Sequence, residues 1–266
     1  MFNAIPHTGK DALVMNALGK KAGFVLAVLV LLLQAETADA TEIKVLSALG
    51  IKAAMDDIGP KFERASGHTL AVTFAPLGAA VKLVQGGETA DVVIIPQQGM
   101  EGFVKDGKVN MGSVRVLARS GMAVAVRKGA PKPDISTPEA FRRALLAAKS
   151  ITYGRGAGSE HIEKVLERLR IANEVKAKTI RGAPGDTGVR VANGEAEIGI
   201  TLLQVLMPVA GIDIVGPLPG DLQDTLVFAV AIMAGTRNTE ASKALVDFLR
   251  TPEAAKVFKA KGLEPS

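Results

Sequence analysis

The chain has 266 residues, of which 48% are hydrophobic and 22% charged, an ordinary balance for a globular protein. Only 4% of the residues are aromatic, with no Trp and one Tyr, so stacking platforms for sugars or single-stranded nucleic acid are poorly supplied. The formal net charge of +5 is spread along the chain, and no basic block indicates a nucleic-acid partner. The lack of cysteine excludes disulfides, thiolate metal sites, cysteine nucleophiles and a lipid-modified N-terminal cysteine.

The N-terminus has the pattern of a secretory leader. A basic pair precedes an apolar run at 22–33, which at about 12 residues is too short to span a membrane. Two small residues, Ala38 and Ala40, then occupy positions −3 and −1 relative to a predicted cleavage site after Ala40. We therefore expect a cleaved signal peptide over residues 1–40 and a periplasmic product, the alternative being an uncleaved membrane anchor. Either Met1 or Met15 can be the start codon.

The first part of the exported chain alternates between strand and helix patterns. The predicted elements are strands at 42–46, 70–74 and 91–95, with helices at 53–65, 79–85 and 99–105. This alternation is typical of a parallel sheet covered by helices on both faces. About 225 residues follow the leader, enough for one large domain or two lobes of roughly 100 residues each.

A second α/β unit follows. Its predicted strands lie at 122–126, 151–153, 175–180, 197–201 and 212–215, and its helices at 137–148, 162–170 and 188–192. The strand predicted at 114–117 still belongs to the first unit, which ends near residue 120. A last strand at 226–233 and helices at 240–249 and 253–260 come after this unit is complete, and we expect them to fold back onto the first.

The chain then crosses between lobes twice, near Ser120-Gly121 and within 222–228, which makes a hinge and a closable cleft. We assign residues 41–121 plus 228–266 to lobe 1 and 122–227 to lobe 2.

Several segments resemble the molybdate-binding proteins among the solute-binding proteins of ABC transporters. They are IKVLSA at 43–48, Phe74-Ala75, ADVVI at 90–94, GEAEIGI at 194–200 and ALVDFLRTPEAA at 244–255. The resemblance covers essentially the whole exported chain. It implies an α/β, two-lobed type II periplasmic binding fold, a small anionic ligand, an inner-membrane permease as partner and no catalysis.

The resemblance also implies where the ligand binds, and there this sequence departs from the family. Family members hold an oxyanion between two helix N-termini, each supplying a serine. The first serine position falls on Gly50, close to Ser47, and the second on Leu77-Gly78; a family tyrosine falls near Leu202. Losing two donors to a charged ligand costs roughly 3–6 kcal/mol, or about a hundred- to ten-thousandfold in affinity. We therefore expect either a molybdate-like oxyanion bound by backbone groups or an organic acid.

The residues themselves support a site at the strand ends. Small residues at Gly50, at Gly78 and at 156–159 follow predicted strands and precede helices, where backbone N–H groups and helix dipoles favour anions. Tight turns are the alternative explanation. Arg155 can clamp a carboxylate, or it can be a solvated loop residue. The candidate ligand-binding residues are Ser47, Gly50, Leu77, Gly78, Gln97, Arg155, Ala157, Gly158, Ser159, Thr201 and Gln204.

Enzyme signatures are missing from this sequence. The glycine-rich stretch at 154–159 lacks the Gly-Lys-Ser/Thr ending of a phosphate loop. The two histidines of the exported chain, His68 and His161, lie far apart in the sequence and show no pattern of pairing with a carboxylate, which argues against a metal site or a catalytic triad. We therefore predict no catalytic residue, no metal, no cofactor and a monomeric binding protein. The alternatives are a sensory or scavenging protein without a permease and an exported enzyme on the same fold.

Overall fold

The computed structural model describes residues 40–154 and 157–266, and Thr41–Ser266 forms one compact unit. Its strands are β1 (Glu42–Ala48), β2 (Thr69–Ala75), β3 (Val92–Pro96), β4 (Arg115–Arg127), β5 (Ile151–Tyr153), β6 (Ile198–Leu202), β7 (Ile212–Pro217), β8 (Thr225–Ile232) and β9 (Glu264–Pro265). Its helices are α1 (Lys52–Ser66), α2 (Leu77–Gln85), α3 (Gln97–Lys105), α4 (Pro138–Ala147), α5 (Ala157–Arg168), α6 (Ala172–Lys176), α7 (Thr187–Ala192), α8 (Leu203–Leu206), α9 (Thr239–Phe248) and α10 (Pro252–Ala260). Short 3₁₀ turns cover Leu49–Ile51, Met111–Ser113 and Gly220–Leu222.

The strands form a continuous path in the order β2-β1-β3-β8-β4-β6-β5, with β7 and β9 also paired to β4. The pairs β1–β2, β1–β3 and β5–β6 are parallel, as expected for strands linked by helical crossovers. The strands β3, β6, β7 and β9 join β8 or β4 antiparallel.

Strand β4 connects two halves of this path. Its residues 115–121 pair with β8, whereas Met122–Arg127 pair with β6 and β7. The change of partner falls between Gly121 and Met122, where the first crossing was predicted. Strand β8 pairs with the first half of β4 from Thr225 onwards, three residues before the boundary at 227/228 that the sequence suggested.

Each half has its own main hydrophobic core with a smaller cluster beside it, and we call the elements around them the first and second lobes. The first lobe packs around Phe62, Phe228 and Phe258, drawn from α1, β8 and α10. The second lobe packs around Phe141 and Tyr153, with the aliphatic residues of β4, β6 and α5. The C-terminal helices α9 and α10 therefore pack on the first lobe, as their position after a completed second unit predicted.

Helix starts follow local capping rules. The hydroxyl of Thr137 accepts a hydrogen bond from the Ala140 N–H at 3.1 Å, and Pro138 occupies the first turn of α4. Thr251 and Pro252 repeat this arrangement at α10.

Two of the predicted elements are wrong. The strand predicted at 175–180 is instead the end of α6 followed by a single bridge at Thr179, because Val175 is buried from a helical turn against the second core. The separate strands predicted at 114–117 and 122–126 are one strand, β4. None of the helices described, over 40–154 and 157–266, has the length and apolar character needed to cross a membrane.

Candidate functional site

A cavity of about 360 Å³ lies between the two lobes. The first lobe contributes the turn after β1, the start of α2 and residues of β8, including Leu49, Leu77 and Phe228. The second lobe contributes Gly154, the first turn of α5, the loop before α7 and the residues around the end of β6. The cavity therefore lies at the ends of the strands, where α/β folds bind ligands.

Uncapped helix starts form the first-lobe wall. The residues preceding α1, α2 and α3 are Ile51, Pro76 and Pro96, and none of these described positions provides a side-chain hydrogen bond to its helix. In α2 the internal bonds begin at the Ala79 N–H, which reaches the Pro76 carbonyl at 2.9 Å. In α2 the N–H groups ahead of Ala79 therefore stay available to an anion, and the helix dipole favours it, whereas in α1 the Lys52 N–H already donates to the Leu49 carbonyl.

Gly50 is tightly packed against Phe228 of its own lobe and Gln204 of the second lobe. A Cβ atom at this position would lie 2.9 Å from Phe228 Cζ and 3.2 Å from the Gln204 amide nitrogen. The residue that stands at the family's first serine position therefore has no room for a side chain beside these neighbours.

Gln204 reaches the cavity from the second lobe. Its side chain is 3% exposed, and its Oε1 atom accepts a hydrogen bond from the Ser120 hydroxyl of β4. Its Nε2 atom is buried without a hydrogen-bond partner among residues 40–154 and 157–266. Ser120 therefore fixes the oxygen of the Gln204 carboxamide, while the Nε2 group remains an unused donor.

Thr187, which the sequence analysis did not select, lies beside Gly154. The side chain is 1% exposed, and its hydroxyl has no hydrogen-bond partner in the described part of the chain. A Cβ at Gly154 would lie 3.4 Å from this hydroxyl and 3.7 Å from that of Thr201. The position of Thr187 directly after the glycine- and proline-containing loop at 182–186 was the available signal.

The structure brings most of the candidate residues together. Gly50, Leu77, Gly158, Ser159, Thr201 and Gln204 line the cavity. Gly78 lies next to it in the first turn of α2, and Ala157 begins α5. Ser47 is fully buried within β1, where its hydroxyl donates to the Ala48 carbonyl at 3.4 Å. Arg155 lies outside the described residues.

Charged groups are sparse around the cavity. Lys52 and Asp56 are the ionisable residues that line it within the described chain, and they pair with each other at 2.7 Å across one turn of α1. This pair is half exposed and carries no net charge. An anion in this cavity is therefore stabilised chiefly by neutral donors from the residues described.

A second cavity of about 260 Å³ adjoins the first and contains Gln97, together with His161 and Asp224. The His161 Nδ1 atom lies 3.4 Å from the Asp224 carboxylate, and its Nε2 atom lies 2.8 Å from the Leu222 carbonyl. Both ring nitrogens thus contact acceptors within the protein, so His161 links α5 to the segment that precedes β8.

Tyr153 is buried in the second core. Its hydroxyl accepts a hydrogen bond from Arg181 at 2.9 Å, and the guanidinium also stacks over the ring at 4.4 Å. Burial of the phenol raises the pKa of Tyr153, an effect that the nearby Arg181 charge opposes. Across residues 40–154 and 157–266, no group of three potential ligands is placed to hold a metal ion.

Comparison with known proteins is consistent with this fold. The model of the bacterial extracellular solute-binding protein family matches residues 43–264. The chain is 34% identical over 231 residues to an aconitate isomerase from a Pseudomonas species, covering 85% of this chain and 88% of that protein. It is 29% identical over 237 residues to a molybdate-binding protein of Azotobacter vinelandii, covering 85% and 90% of the two chains.

Solved structures show the same architecture. The substrate-binding domain of a molybdenum transporter protein from Clostridium difficile superposes with a TM-score of 0.70 at 16% identity, covering 85% of this chain and all of that one. The predicted α/β, type II two-lobed fold and the resemblance to molybdate-binding proteins are both confirmed. The chain belongs to the family of bacterial extracellular solute-binding proteins.

Proposed function

We propose that this protein captures a small organic acid in the cleft between its lobes and delivers it to an ABC-type permease. The observation that carries the proposal is the make-up of the cavity. Its anion-binding groups are backbone N–H groups and neutral side chains, and its remaining walls are apolar, including Leu49, Leu77 and Phe228.

The size of the cavity favours an organic ligand over an oxyanion. A volume of about 360 Å³ falls in the range of sites for small organic molecules. A tetrahedral oxyanion, with one central atom and its oxygens, fills only a small part of such a space. Burying the hydrocarbon part of an organic acid against the apolar walls contributes roughly 25 cal/mol per Å² of apolar surface removed from water.

The missing serine hydroxyls support the same choice. Gly50 and Leu77 stand where the related oxyanion binders are expected to supply serine, and Gly50 has no room for a larger residue. A carboxylate can still bind the free N–H groups at the start of α2, because the helix dipole favours negative charge there. The Pseudomonas relative is named for aconitate, a tricarboxylate, which indicates the same class of ligand.

Delivery to a permease follows from the family and from the proposed export. Cleavage after Ala40 would leave residues 41–266 in the periplasm as a monomer. Lobe 1 would comprise 41–121 plus 228–266 and lobe 2 residues 122–227, with closure around the ligand presenting both lobes to the inner-membrane partner.

Thermal unfolding of residues 41–266 with a panel of ligands tests the proposal. The panel contains cis-aconitate, trans-aconitate, citrate, succinate, molybdate, tungstate, sulfate and phosphate. A ligand that binds only the folded state adds about 2.7 kcal/mol of stability at a hundredfold excess over its dissociation constant. We expect the melting temperature to rise with one or more carboxylates. A rise with molybdate and tungstate alone would contradict the proposal.

Isomerisation of aconitate is the second candidate function, and the 34% identical Pseudomonas relative is the observation that favours it. Such a reaction needs a group that moves a proton at the bound substrate, and Lys52 and Asp56 are the titratable residues lining the main cavity in the described part of the chain. Proton NMR of cis-aconitate incubated with the protein distinguishes the two functions. Formation of trans-aconitate at a rate proportional to protein concentration would show that the protein is an isomerase rather than a binding protein.

A further inference from the structure

Thr187 is a buried hydroxyl without a hydrogen bond, and its environment fixes the direction in which that hydroxyl points. Its methyl carbon lies 3.2 Å from the position that a Cβ would take at Gly199 of β6. Its oxygen lies 3.4 Å from the corresponding position at Gly154. The methyl group therefore packs on the sheet, while the hydroxyl faces Gly154, which lines the cavity between the lobes.

A second hydroxyl faces the same point. The Oγ1 atom of Thr201 lies 3.7 Å from the Cβ position of Gly154, and Thr201 itself lines the cavity. Thr187 lies behind Gly154 rather than among the residues that line the cavity, and because Gly154 has no side chain, no Cβ atom separates a ligand at its backbone from the two hydroxyls. Within the described part of the chain, the Thr187 oxygen has no protein acceptor that would compete with such a ligand.

A buried hydroxyl without a partner lowers stability, so such groups are rare in native proteins and call for an explanation. We propose that Thr187 is a ligand-binding residue and that, with Thr201, it binds one carboxylate of the organic acid at Gly154. The N–H groups at the start of α2 on the opposite wall bind a second acidic group. The ligand class is therefore a di- or tricarboxylate that spans the cavity, an assignment that rests on the proposed function.

Removing the Thr187 hydroxyl should weaken ligand binding without lowering stability, a combination that a purely structural role would not produce. Thr187→Val keeps the shape of the side chain and removes the unpaired polar atom, so the melting temperature of the unliganded protein stays unchanged or rises. The same substitution removes a hydrogen bond to a charged group, so the dissociation constant rises about ten- to hundredfold. Thr187→Ser, which keeps the hydroxyl, retains wild-type affinity.

Thr152 provides a matched control. It is also 1% exposed, and its hydroxyl likewise has no partner among the described residues, but it lies within β5 and none of its atoms comes within 4 Å of the Cβ position of Gly154. Thr152→Val therefore changes stability in the same direction as Thr187→Val and leaves the affinity for the ligand unchanged.

Calorimetric titration of residues 41–266 with trans-aconitate measures these effects, with Thr187→Ala as a second variant lacking the hydroxyl. We expect Thr187→Val and Thr187→Ala to bind trans-aconitate more weakly, and Thr152→Val to bind it as the wild type does. The melting temperature of Thr187→Val should not be lower than that of the wild type. Wild-type affinity in both variants overturns the assignment of Thr187 while leaving organic-acid binding intact. A lowered melting temperature in Thr187→Val, or equal loss of affinity in Thr152→Val, shows a structural role and also overturns it. If the wild-type protein binds none of the panel's organic acids, the proposed function fails and this assignment fails with it.

Discussion

The absence of a side chain at position 50 sets how closely the lobes meet beside the cavity. The first-lobe turn at Gly50 lies against Phe228 of the same lobe and against Gln204 of the second lobe. The Gln204 amide is in turn held by Ser120, a residue of the connecting strand β4. One glycine thus lets the ligand-facing turn, the second lobe and the hinge region come into contact at a single point.

Tyr153 offers a test of burial at the level of one residue, because it is the only tyrosine in the chain. Burial raises the pKa of its hydroxyl above the ordinary value of about 10. Tyrosinate absorbance in the near ultraviolet should therefore titrate above that value in the folded protein and at the ordinary value in urea. A folded-state midpoint at or below the urea value would contradict the packing described for the second core.

The same shift predicts the direction of the pH dependence of stability. Below about pH 10 the phenol is protonated in both states, and its contribution is fully present. As pH rises towards the raised folded-state pKa, the unfolded chain loses this proton first, so the free energy of unfolding falls. Tyr153→Phe should remove this part of the alkaline destabilisation.

At the level of elements, a side chain supports the connection between the lobes by making the backbone hydrogen bonds that a neighbouring strand would otherwise make. The carboxamide of Gln223 accepts from the Met122 N–H and donates to the Met122 carbonyl, both at 2.9 Å. Met122 is the residue at which β4 leaves β8 and joins β6 and β7. Gln223 therefore maintains backbone pairing where β4 changes partners.

Gln223→Leu should lower the free energy of unfolding by about 1–3 kcal/mol, because it leaves the Met122 N–H without its acceptor. Urea unfolding measures the change. Gln85→Leu, at an exposed position in α2, is the matched control and should change stability by less than about 0.5 kcal/mol. Equal effects of the two substitutions would show that the Gln223 bonds do not support the connection.

Sequence patterns divided β4 into two strands because Ser120-Gly121 has the composition of a turn. In the folded protein both residues pair with β8, at Leu226 and Thr225, which are distant in the sequence. The error at 175–180 has a similar origin, since Val175 fits a strand by composition but is buried from a short helix. Elements whose apolar pattern was long and regular, such as α1 and β8, were predicted within a few residues of their ends.

For the whole molecule, the strand–helix alternation and the late return of the chain were enough to predict two α/β lobes with a cleft. The candidate site was predicted in part. Of the small residues after strands that the sequence analysis chose, Gly50 and Gly158 line the cavity. Thr187 could not be selected from small residues after strands, because its hydroxyl comes beside Gly154 only in the folded protein, and the loop at 182–186 before it was the signal in the sequence.

The ligand class is the central claim for the whole molecule, and it depends on hydroxyl donors that are absent at Gly50 and Leu77 together with a partly apolar cavity of about 360 Å³. Direct titration calorimetry of residues 41–266 with trans-aconitate and with molybdate tests it in one pair of measurements. We predict that the organic acid binds at least a hundredfold more tightly, since losing two hydroxyl donors costs molybdate roughly 3–6 kcal/mol. Molybdate binding that is equal or tighter would contradict the account and show that backbone N–H groups alone make this cleft an oxyanion site.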